Sequence, residues 1–257
     1  LLEMKSDEKV VAVVAVRDFD ERFLVTATRN GQIKKTELAA YSNPRKGGIQ
    51  ATGINEGDVV IGVALTRGHD EIVLATNDGQ AIRFKEDDVR PMGRTAAGVR
   101  GIHLREGDFV VDMAVVDPMS TLLTVCENGY GKRTDFDEYR IQGRGGYGII
   151  NIKTSARNGK VVAMKSVRDA DELMLITLNG MIVRTGVNEL RSIGRATQGV
   201  RVIALKPGDK LVAVARVATE DNSQGTLPLD APAGETQGEL PLADAEAGTD
   251  SPDAGES

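Results

Sequence analysis

The sequence predicts an all-β protein, a propeller-like array of four-stranded blades followed by a tail that has no fold of its own. Three observations support this prediction: a repeat close to fifty residues long, Val- and Ile-rich runs separated by tight-turn signals, and no recurring amphipathic helix. One four-stranded sheet cannot bury both of its faces alone, whereas neighbouring blades can bury them against each other. A Rossmann sheet or a parallel α/β barrel would need a long helix between successive strands.

Four full copies of the repeat follow one another, at about 9–58, 59–108, 109–160 and 161–210. Each opens with a β-rich run such as VVAVVAV from Val10, and a fifth run, LVAVARV from Leu211, opens a copy that is not completed. We therefore expect four full repeats with a partial first and a partial last blade over residues 1–217. The first residues, LLEMK, show neither an initiator Met nor a signal-peptide pattern, so we expect a fragment of a longer protein.

A tight turn in every repeat joins the second and third apolar runs. The turns are Asn-Gly pairs in three repeats and Asn-Asp-Gly in one, with glycines at Gly31, Gly79, Gly129 and Gly180. Such sequences supply the positive φ angles that connect two twisted antiparallel strands by a short loop. Each repeat is therefore predicted to contain a β-hairpin, whose second strand leads into a Gly-containing connector.

Basic residues recur in phase with the repeat. One set lies four residues after each turn glycine: Lys35, Arg83, Arg133 and Arg184. A second set precedes the Gly-containing loop of each connector at spacings of 49, 50 and 51 residues: Arg45, Arg94, Arg144 and Arg195. A third set lies four residues before the second, except in the first repeat, which has Tyr41: Arg90, Arg140 and Arg191. Equivalent positions in propeller blades lie at equal radius and height, so these bases are expected to line up around the rim.

The charge of the chain is divided between its two parts. Residues 218–257 contain ten acidic residues and no Lys or Arg, which leaves 32 basic against 28 acidic residues in 1–217, or net charges of −10 and +4. The segment 218–257 is also rich in Ala, Gly and Pro and has no aromatic residue, so we expect a disordered acidic tail. A positive body indicates a polyanionic partner, while the tail either solubilises the protein or competes with that partner for the rim.

Composition argues against several other classes of function. One Cys and two His leave few ligands for a zinc site, and the single Cys126 is typical of a reducing cytoplasm. No apolar run is long enough to cross a bilayer. No catalytic constellation is recognisable, so we expect no catalytic residue, metal ligand or cofactor in this chain. The loop GRGGYG resembles a dinucleotide loop, but it opens neither a helix nor a βαβ unit.

A stripe of positive charge around a rim indicates contact with a nucleic-acid backbone. Because the sequence has neither an aromatic platform for single-stranded bases nor a recognition helix for a major groove, we favour duplex DNA bound without strong sequence preference. The residues expected to contact DNA are Lys35, Arg45, Lys46, Arg83, Arg90, Arg94, Lys132, Arg133, Arg140, Arg144, Gly145, Gly146, Gly148, Arg184, Arg191 and Arg195. Two alternatives are a propeller that binds acidic proteins through the same bases and a propeller enzyme with a site in its central channel.

With these motifs the chain resembles the C-terminal domain of the DNA gyrase A protein, part of a type IIA topoisomerase. The resemblance rests on the fifty-residue phase and on the segments NGQIKKTEL, AIRFKEDDVRPMG, TAAGVRGI, NGYGKRT and VRTGVNELRSIGRATQGV, and it covers essentially all of residues 1–217. It implies a six-bladed β-pinwheel, a propeller relative whose blades exchange a strand, with DNA wrapped around the outer rim in the positive sense. In this family wrapping feeds a DNA segment to the cleavage gate, so that ATP-driven strand passage introduces negative supercoils.

The resemblance also implies where the rest of such an enzyme lies. The cleavage tyrosine, the DNA gate and the ATPase would be outside this chain, with ATP and Mg in the ATPase partner of a heterotetramer, in the bacterial cytoplasm at the nucleoid. The family's defining box, QRRGGKG, belongs to its first blade and is absent from its expected position here, whereas QGRGGYG at 142–148 matches it in part. This departure leaves the C-terminal domain of the paralogous topoisomerase IV protein, which favours decatenation, as the alternative.

Overall fold

The computed structural model describes residues 10–217, and the predicted acidic tail lies outside the described residues. Within this range the chain forms fifteen strands: β1 (Phe23–Thr28), β2 (Gln32–Glu37), β3 (Val60–Thr66), β4 (Glu71–Thr76), β5 (Gln80–Lys85), β6 (Val99–Arg100), β7 (Val110–Val115), β8 (Thr121–Cys126), β9 (Tyr130–Asp135), β10 (Ile149–Ile150), β11 (Val161–Val167), β12 (Glu172–Thr177), β13 (Ile182–Gly186), β14 (Val200–Arg201) and β15 (Leu211–Val217). The helices are single 3-10 turns: Leu38–Tyr41, Glu86–Asp88, Phe136–Glu138 and Val187–Glu189. None of these described helices is long and apolar enough to cross a membrane.

The strands form four antiparallel sheets, the blades, and each blade combines strands from two successive repeats. The strand orders are β3-β1-β2-β6, β7-β4-β5-β10, β11-β8-β9-β14 and β15-β12-β13. The hairpin of one repeat provides the two central strands, and the opening run of the next repeat pairs on one side. On the other side of the first three blades, the connector of the next repeat adds a two-residue strand, as where Val99 pairs with Ile33. Neighbouring blades therefore exchange strands.

The core lies between the blades. The opening strands β3, β7, β11 and β15 contact one another from blade to blade and form the inner layer, which leaves β6, β10 and β14 at the outer edge. In β4, Ile72 and Leu74 pack in the cluster shared with the first blade, while Val73 and Ala75 pack in the cluster shared with the third. Burial on both faces explains the nearly continuous apolar runs of the central strands. The predicted all-β, propeller-like architecture is confirmed.

The predicted hairpin turns are confirmed. Their glycines have φ angles of +82°, +88°, +80° and +81°, in the region that disfavours other residues: Gly31, Gly79, Gly129 and Gly180. In three blades an aspartate just before the inner strand accepts a hydrogen bond from a turn amide through its Oδ1 atom. The pairs are Asn30 with Asp58 (2.9 Å), Asp78 with Asp108 (2.9 Å) and Asn179 with Asp209 (3.1 Å). The recurring Gly-Asp pairs of the sequence thus fix each hairpin to an inner strand.

One predicted strand is not formed. The run VVAVVAV, residues 10–16, has no regular structure, and its Val10, Val11 and Val13 side chains are exposed. The equivalent runs β3, β7, β11 and β15 each pair with the first hairpin strand of the blade before them. The described residues contain no hairpin before β1, so residues 10–16 lack the partner that the other four runs have. The expectation of a strand here is therefore wrong for the described chain.

Candidate nucleic-acid interface

The connectors form a continuous outer rim. We define the rim as the four connectors, 42–53, 90–103, 140–153 and 191–203, which include β6, β10 and β14. Each connector is bonded to the next through the backbone. The N–H groups of Gly53, His103 and Lys153 donate to the carbonyl oxygens of Ala96, Gly146 and Thr197, at 3.0, 2.8 and 2.8 Å. Side chains at equivalent positions of the rim are therefore held in a regular series.

The arginines that precede the Gly-containing loops also join connector to connector. Through Nη1, Arg94, Arg144 and Arg195 donate to the carbonyl oxygens of Gln50 (3.0 Å), Arg100 (3.1 Å) and Ile150 (2.9 Å). Arg144 is exposed, whereas Arg94 and Arg195 are half-buried. Part of each guanidinium is thus committed to holding the rim together. Contact of these three arginines with DNA stays a prediction, and reversal of their charge is now expected to lower stability as well.

The bases that follow the turn glycines point between blades. Lys35 is 4% exposed, forms an ion pair with Glu86 (3.3 Å) and donates to the carbonyl oxygen of Gly68 (3.0 Å). Arg83 forms an ion pair with Glu71 (2.5 Å) within its own blade, and it also donates to the Phe136 carbonyl oxygen of the next blade. These two side chains join one blade to the next and have little surface left for a phosphate.

The base that follows the turn glycine differs in burial between the third and fourth blades, because it is the next blade that supplies its acceptors. Arg133 is buried, donates to the carbonyl oxygen of Leu190 (2.8 Å) and pairs with Asp169 of the following blade. Arg184 pairs with Glu172 of its own blade, and its side chain is 63% exposed. The described chain has no blade after the fourth, so the acceptors that bury Lys35 and Arg133 have no counterpart for Arg184 within it. In-phase recurrence of this set thus reflects the joint between blades.

Two lysines are buried beneath the rim. The Nζ atom of Lys132 donates to Thr134 Oγ1 (2.7 Å) and to the Gly194 carbonyl oxygen (3.1 Å). Lys34, at the equivalent position of the first blade, donates through Nζ to the Arg94 carbonyl oxygen. Burial, with a further contribution from the Arg195 charge, lowers the pKa of Lys132 to about 8. Lys132, predicted to contact DNA, is 0% exposed and supports the rim from inside.

Replacing Lys132 by isoleucine, the residue at the equivalent Ile82, is expected to remove a pH dependence of stability. The unfolded chain holds this proton up to a pKa near 10.5, whereas the folded chain releases it near 8. Wild-type stability relative to Lys132→Ile should therefore rise between pH 8 and pH 10.5, by at most about 3 kcal/mol. Urea unfolding at four pH values measures this difference, and the exposed Lys46→Ile serves as the control. Parallel pH profiles for the wild type and Lys132→Ile would contradict the assignment.

Three of the predicted contacts lie free on the outer edge. Arg90, Arg140 and Arg191 are exposed at equivalent positions. The residue after each forms a parallel bridge with the third strand of the preceding blade: Pro91 with Lys35, Ile141 with Arg83 and Ser192 with Arg133. Within residues 10–217 none of the three guanidinium groups has a hydrogen bond or an ion pair. Their full charge is therefore available to a ligand that follows the rim.

The rim carries further exposed bases. Arg45 and Lys46, both predicted, are exposed in the first connector. Sequence reasoning missed Arg100 and Arg201, the exposed second residues of β6 and β14, and the exposed Lys153. The signal was present, because GVRG and GVRV place these arginines in the same fifty-residue phase as the others. Two-residue strands have no periodicity of their own, so only the repeat could have identified them.

Two glycines of QGRGGYG, Gly145 and Gly148, have positive φ angles. Gly148 has a φ angle of +73°, and a Cβ atom there would lie 2.5 Å from the carbonyl oxygen of Ala81. The Gly145 amide donates to the Gly101 carbonyl oxygen at 2.7 Å, and the Gly146 carbonyl accepts from His103. These groups bring the connector against its neighbours. Contact of Gly145, Gly146 and Gly148 with DNA stays a prediction, and the positive φ angles of Gly145 and Gly148 favour glycine independently of any ligand.

Among the described residues, one ion pair joins two strands of the inner layer. Asp112 of β7 and Lys165 of β11 lie 2.7 Å apart, and burial raises the pKa of Asp112 despite this partner. The pair joins two inner strands, and Asp112 Oδ2 also accepts from the Met164 amide at 3.2 Å. Its partners therefore identify it as a link between the second and third blades.

Blades that exchange strands and a rim of exposed bases define the class: a strand-exchanged β-propeller with a basic outer edge. A family model described as DNA gyrase C-terminal domain, beta-propeller, matches residues 22–67, 70–117, 120–168 and 171–218. The chain belongs to this family. Each matched segment contains one hairpin and the inner strand that follows it, which is the unit that the sheets display.

Curated relatives agree with this assignment. The DNA gyrase A protein of Halalkalibacterium halodurans is 50% identical over 86% of this chain, and those of Klebsiella oxytoca and Escherichia coli are 43% and 41% identical over 91% and 93% of it. The chain spans only 27–28% of the length of these relatives.

Two solved structures have the same fold over 84% of the chain. The C-terminal domain of DNA topoisomerase IV matches with a TM-score of 0.79 at 26% identity, covering 68% of that chain. The DNA gyrase A C-terminal domain matches with a TM-score of 0.75 at 27% identity, covering 73% of that chain.

Proposed function

We propose that this chain binds and wraps duplex DNA along its rim, without sequence specificity in its phosphate contacts. The observation that carries the proposal is the series of exposed arginines at equivalent positions, Arg90, Arg140 and Arg191, which are unpaired within residues 10–217. Bending a duplex through 40–90° costs on the order of 1–6 kcal/mol, which phosphate contacts on several successive blades can offset. A rim whose connectors are bonded to one another keeps these contacts in a fixed series.

In the intact protein this chain is proposed to act as the wrapping domain of DNA gyrase A. Its partners would be duplex DNA, the remainder of the gyrase A protein, and the gyrase B protein, which would supply ATP hydrolysis and Mg. The reaction would be ATP-dependent negative supercoiling in the bacterial cytoplasm at the nucleoid, and this chain would supply no catalytic residue. Support comes from family membership and from the curated gyrase A relatives.

A second candidate is the equivalent domain of topoisomerase IV, with decatenation as the reaction of the whole enzyme. The observation that favours it is the TM-score of 0.79 to that domain, against 0.75 for the gyrase domain. Curated relatives at 41–50% identity favour gyrase. A protein-binding propeller is the third candidate, because exposed arginines also attract acidic proteins.

Salt dependence of binding to random-sequence duplex separates DNA binding from protein binding. Each phosphate neutralised contributes a slope of about −0.9 to the logarithm of affinity against the logarithm of salt concentration. With three free rim arginines and further bases beside them, we expect a slope of about −3 or steeper. Fluorescence anisotropy between 50 and 300 mM salt measures it. Affinity that is weak and independent of salt would contradict the proposal.

A further inference from the structure

The third connector has large apolar side chains where the second and fourth connectors have small, polar or basic residues. Three of its side chains are exposed: Ile141 by 46%, Tyr147 by 56% and Ile150 by 41%. In the second and fourth connectors the equivalents are Pro91 and Ser192, Ala97 and Gln198, and Arg100 and Arg201. We call Ile141, Tyr147 and Ile150 the apolar trio. Three exposed apolar side chains in one connector of a basic rim require a specific explanation.

The backbone places the apolar trio along one stretch of the outer edge. Ile150 pairs with Gln80 and Ile141 with Arg83, so the two isoleucines lie along the same outer edge of β5, about 10 Å apart in the strand direction. Tyr147 lies in the loop that connects them. Its ring packs on that of His103 from the preceding connector, with centroids 4.2 Å apart. The His103 ring therefore covers one side of Tyr147, while more than half of the tyrosine remains accessible.

Arginines bracket the apolar trio on both sides. On the side of the preceding connector, the exposed Arg144 donates through Nη1 to the carbonyl oxygen of the exposed Arg100 at 3.1 Å. On the side of the following connector, Arg195 donates to the Ile150 carbonyl oxygen at 2.9 Å. An occupant that covers the trio must therefore offer an apolar strip between two rows of negative charge. The minor groove of a duplex has this arrangement, because sugar and base edges lie between two phosphate backbones. An apolar protein surface lacks the flanking negative charge.

We propose that the apolar trio enters the minor groove of the wrapped duplex, with Tyr147 as a wedge against one base step. This inference rests on the proposed function. Apolar side chains that press between base steps partly unstack them and bend the duplex, most cheaply at flexible TA and CA/TG steps. The other connectors, with small, polar or basic residues at the same positions, would contact phosphates. The wrapped duplex would thus have a preferred base step at one position, while the rest of the rim would bind any sequence.

The test is a selection of duplexes from a random-sequence library by the 257-residue chain. We expect the wild type to enrich TA or CA/TG steps at one position, and to bind a selected duplex roughly fivefold more tightly than one lacking that step. Tyr147→Ala should remove the enrichment and this fivefold difference while keeping the salt slope. Gln198→Ala, at the equivalent, half-buried position of the fourth connector, is the control and should keep both.

A second variant tests the same idea by gain of charge. Ile150→Arg introduces the residue found at the equivalent Arg100 and Arg201, so it should steepen the salt slope by about 0.9 and reduce the step preference. Salt-dependent binding without any step preference in the wild type would overturn the wedge and leave duplex binding intact. Retention of the preference by Tyr147→Ala would do the same. Failure of the wild type to bind duplex in a salt-dependent manner would overturn both proposals.

Discussion

Reversing the charge of Arg90, Arg140 and Arg191 to glutamate is expected to lower affinity for duplex DNA at least a hundredfold at about 100 mM salt. The salt slope should fall by roughly 2.7, because three phosphate contacts are lost. The midpoint of thermal unfolding should move by no more than about 2 °C, since exposed charges without partners contribute little to stability. Anisotropy titrations and a thermal melt of the same preparation measure both quantities.

The expectation follows from the position of the three guanidinium groups. They occupy equivalent places on successive connectors, they are exposed, and within residues 10–217 they make no ion pair that would compete with a phosphate. A duplex that follows the rim meets them in turn. A carboxylate at each place would repel the phosphates that the arginine attracted, so the loss exceeds that of a neutral substitution.

A control with the same change of charge separates the rim from a general effect of net charge. Arg67, Lys206 and Lys210 are exposed next to the inner strands β3 and β15, away from the outer edge. Their reversal to glutamate changes the net charge equally, and Lys210 loses its ion pair with Glu127. We expect at most about a fivefold loss of affinity from the reduced long-range attraction. Equal losses in the two triple variants would contradict a DNA path along the rim.

Lys35→Met is expected to lower the free energy of unfolding by about 3–5 kcal/mol, the usual cost of leaving a buried charge without its partner. The side chain of Glu86 is fully buried, and it also accepts from Thr66 Oγ1 at 2.6 Å and from the Gly68 amide at 3.1 Å. These donors do not replace the lost ammonium charge. The thermal midpoint should fall by about 10 °C, which calorimetry or circular dichroism measures directly.

The matched control for Lys35→Met is Arg184→Met, at the same position of the fourth blade. Its ion pair with Glu172 is exposed and joins no second blade in the described chain, so its loss should cost less than about 1 kcal/mol. Below its midpoint, Lys35→Met should bind duplex nearly as well as the wild type. If Lys35→Met kept the stability of the wild type but lost affinity for duplex DNA, Lys35 would be a DNA contact and not a link between blades.

The repeat made most of the fold predictable. Asn-Gly turns at a fixed period locate the hairpins, and the apolar runs locate the strands, because both signals are local. Which strands pair across blades is not encoded locally, because nothing in Val99 or Arg100 indicates that they pair with β2 of the preceding blade. The run VVAVVAV from Val10 is at least as rich in β-branched residues as β3 and still forms no strand, since strand formation here depends on a neighbouring hairpin.

The candidate site was less predictable than the fold. All three basic sets recur in phase, yet Lys35 and Arg133 are buried between blades while Arg140 is exposed on the rim. Recurrence reports equivalent environments and does not distinguish the rim from the joint between blades. Alternation offered a clue, because Lys35 lies two residues after Ile33 and therefore on the same face of β2 as a core residue. The carboxylate that receives Lys35 comes from a different blade, which local pattern cannot reveal.

The most direct test of wrapping is a change in DNA linking number. The 257-residue chain is bound to nicked circular plasmid, the nick is ligated, the protein is removed, and the distribution of topoisomers is compared with that of free plasmid. A duplex that wraps the rim in the sense implied by the gyrase family gives a positive shift that grows with the ratio of protein to DNA. The variant with Arg90, Arg140 and Arg191 reversed should give none. An unchanged linking number while the plasmid is demonstrably bound would contradict wrapping along the rim.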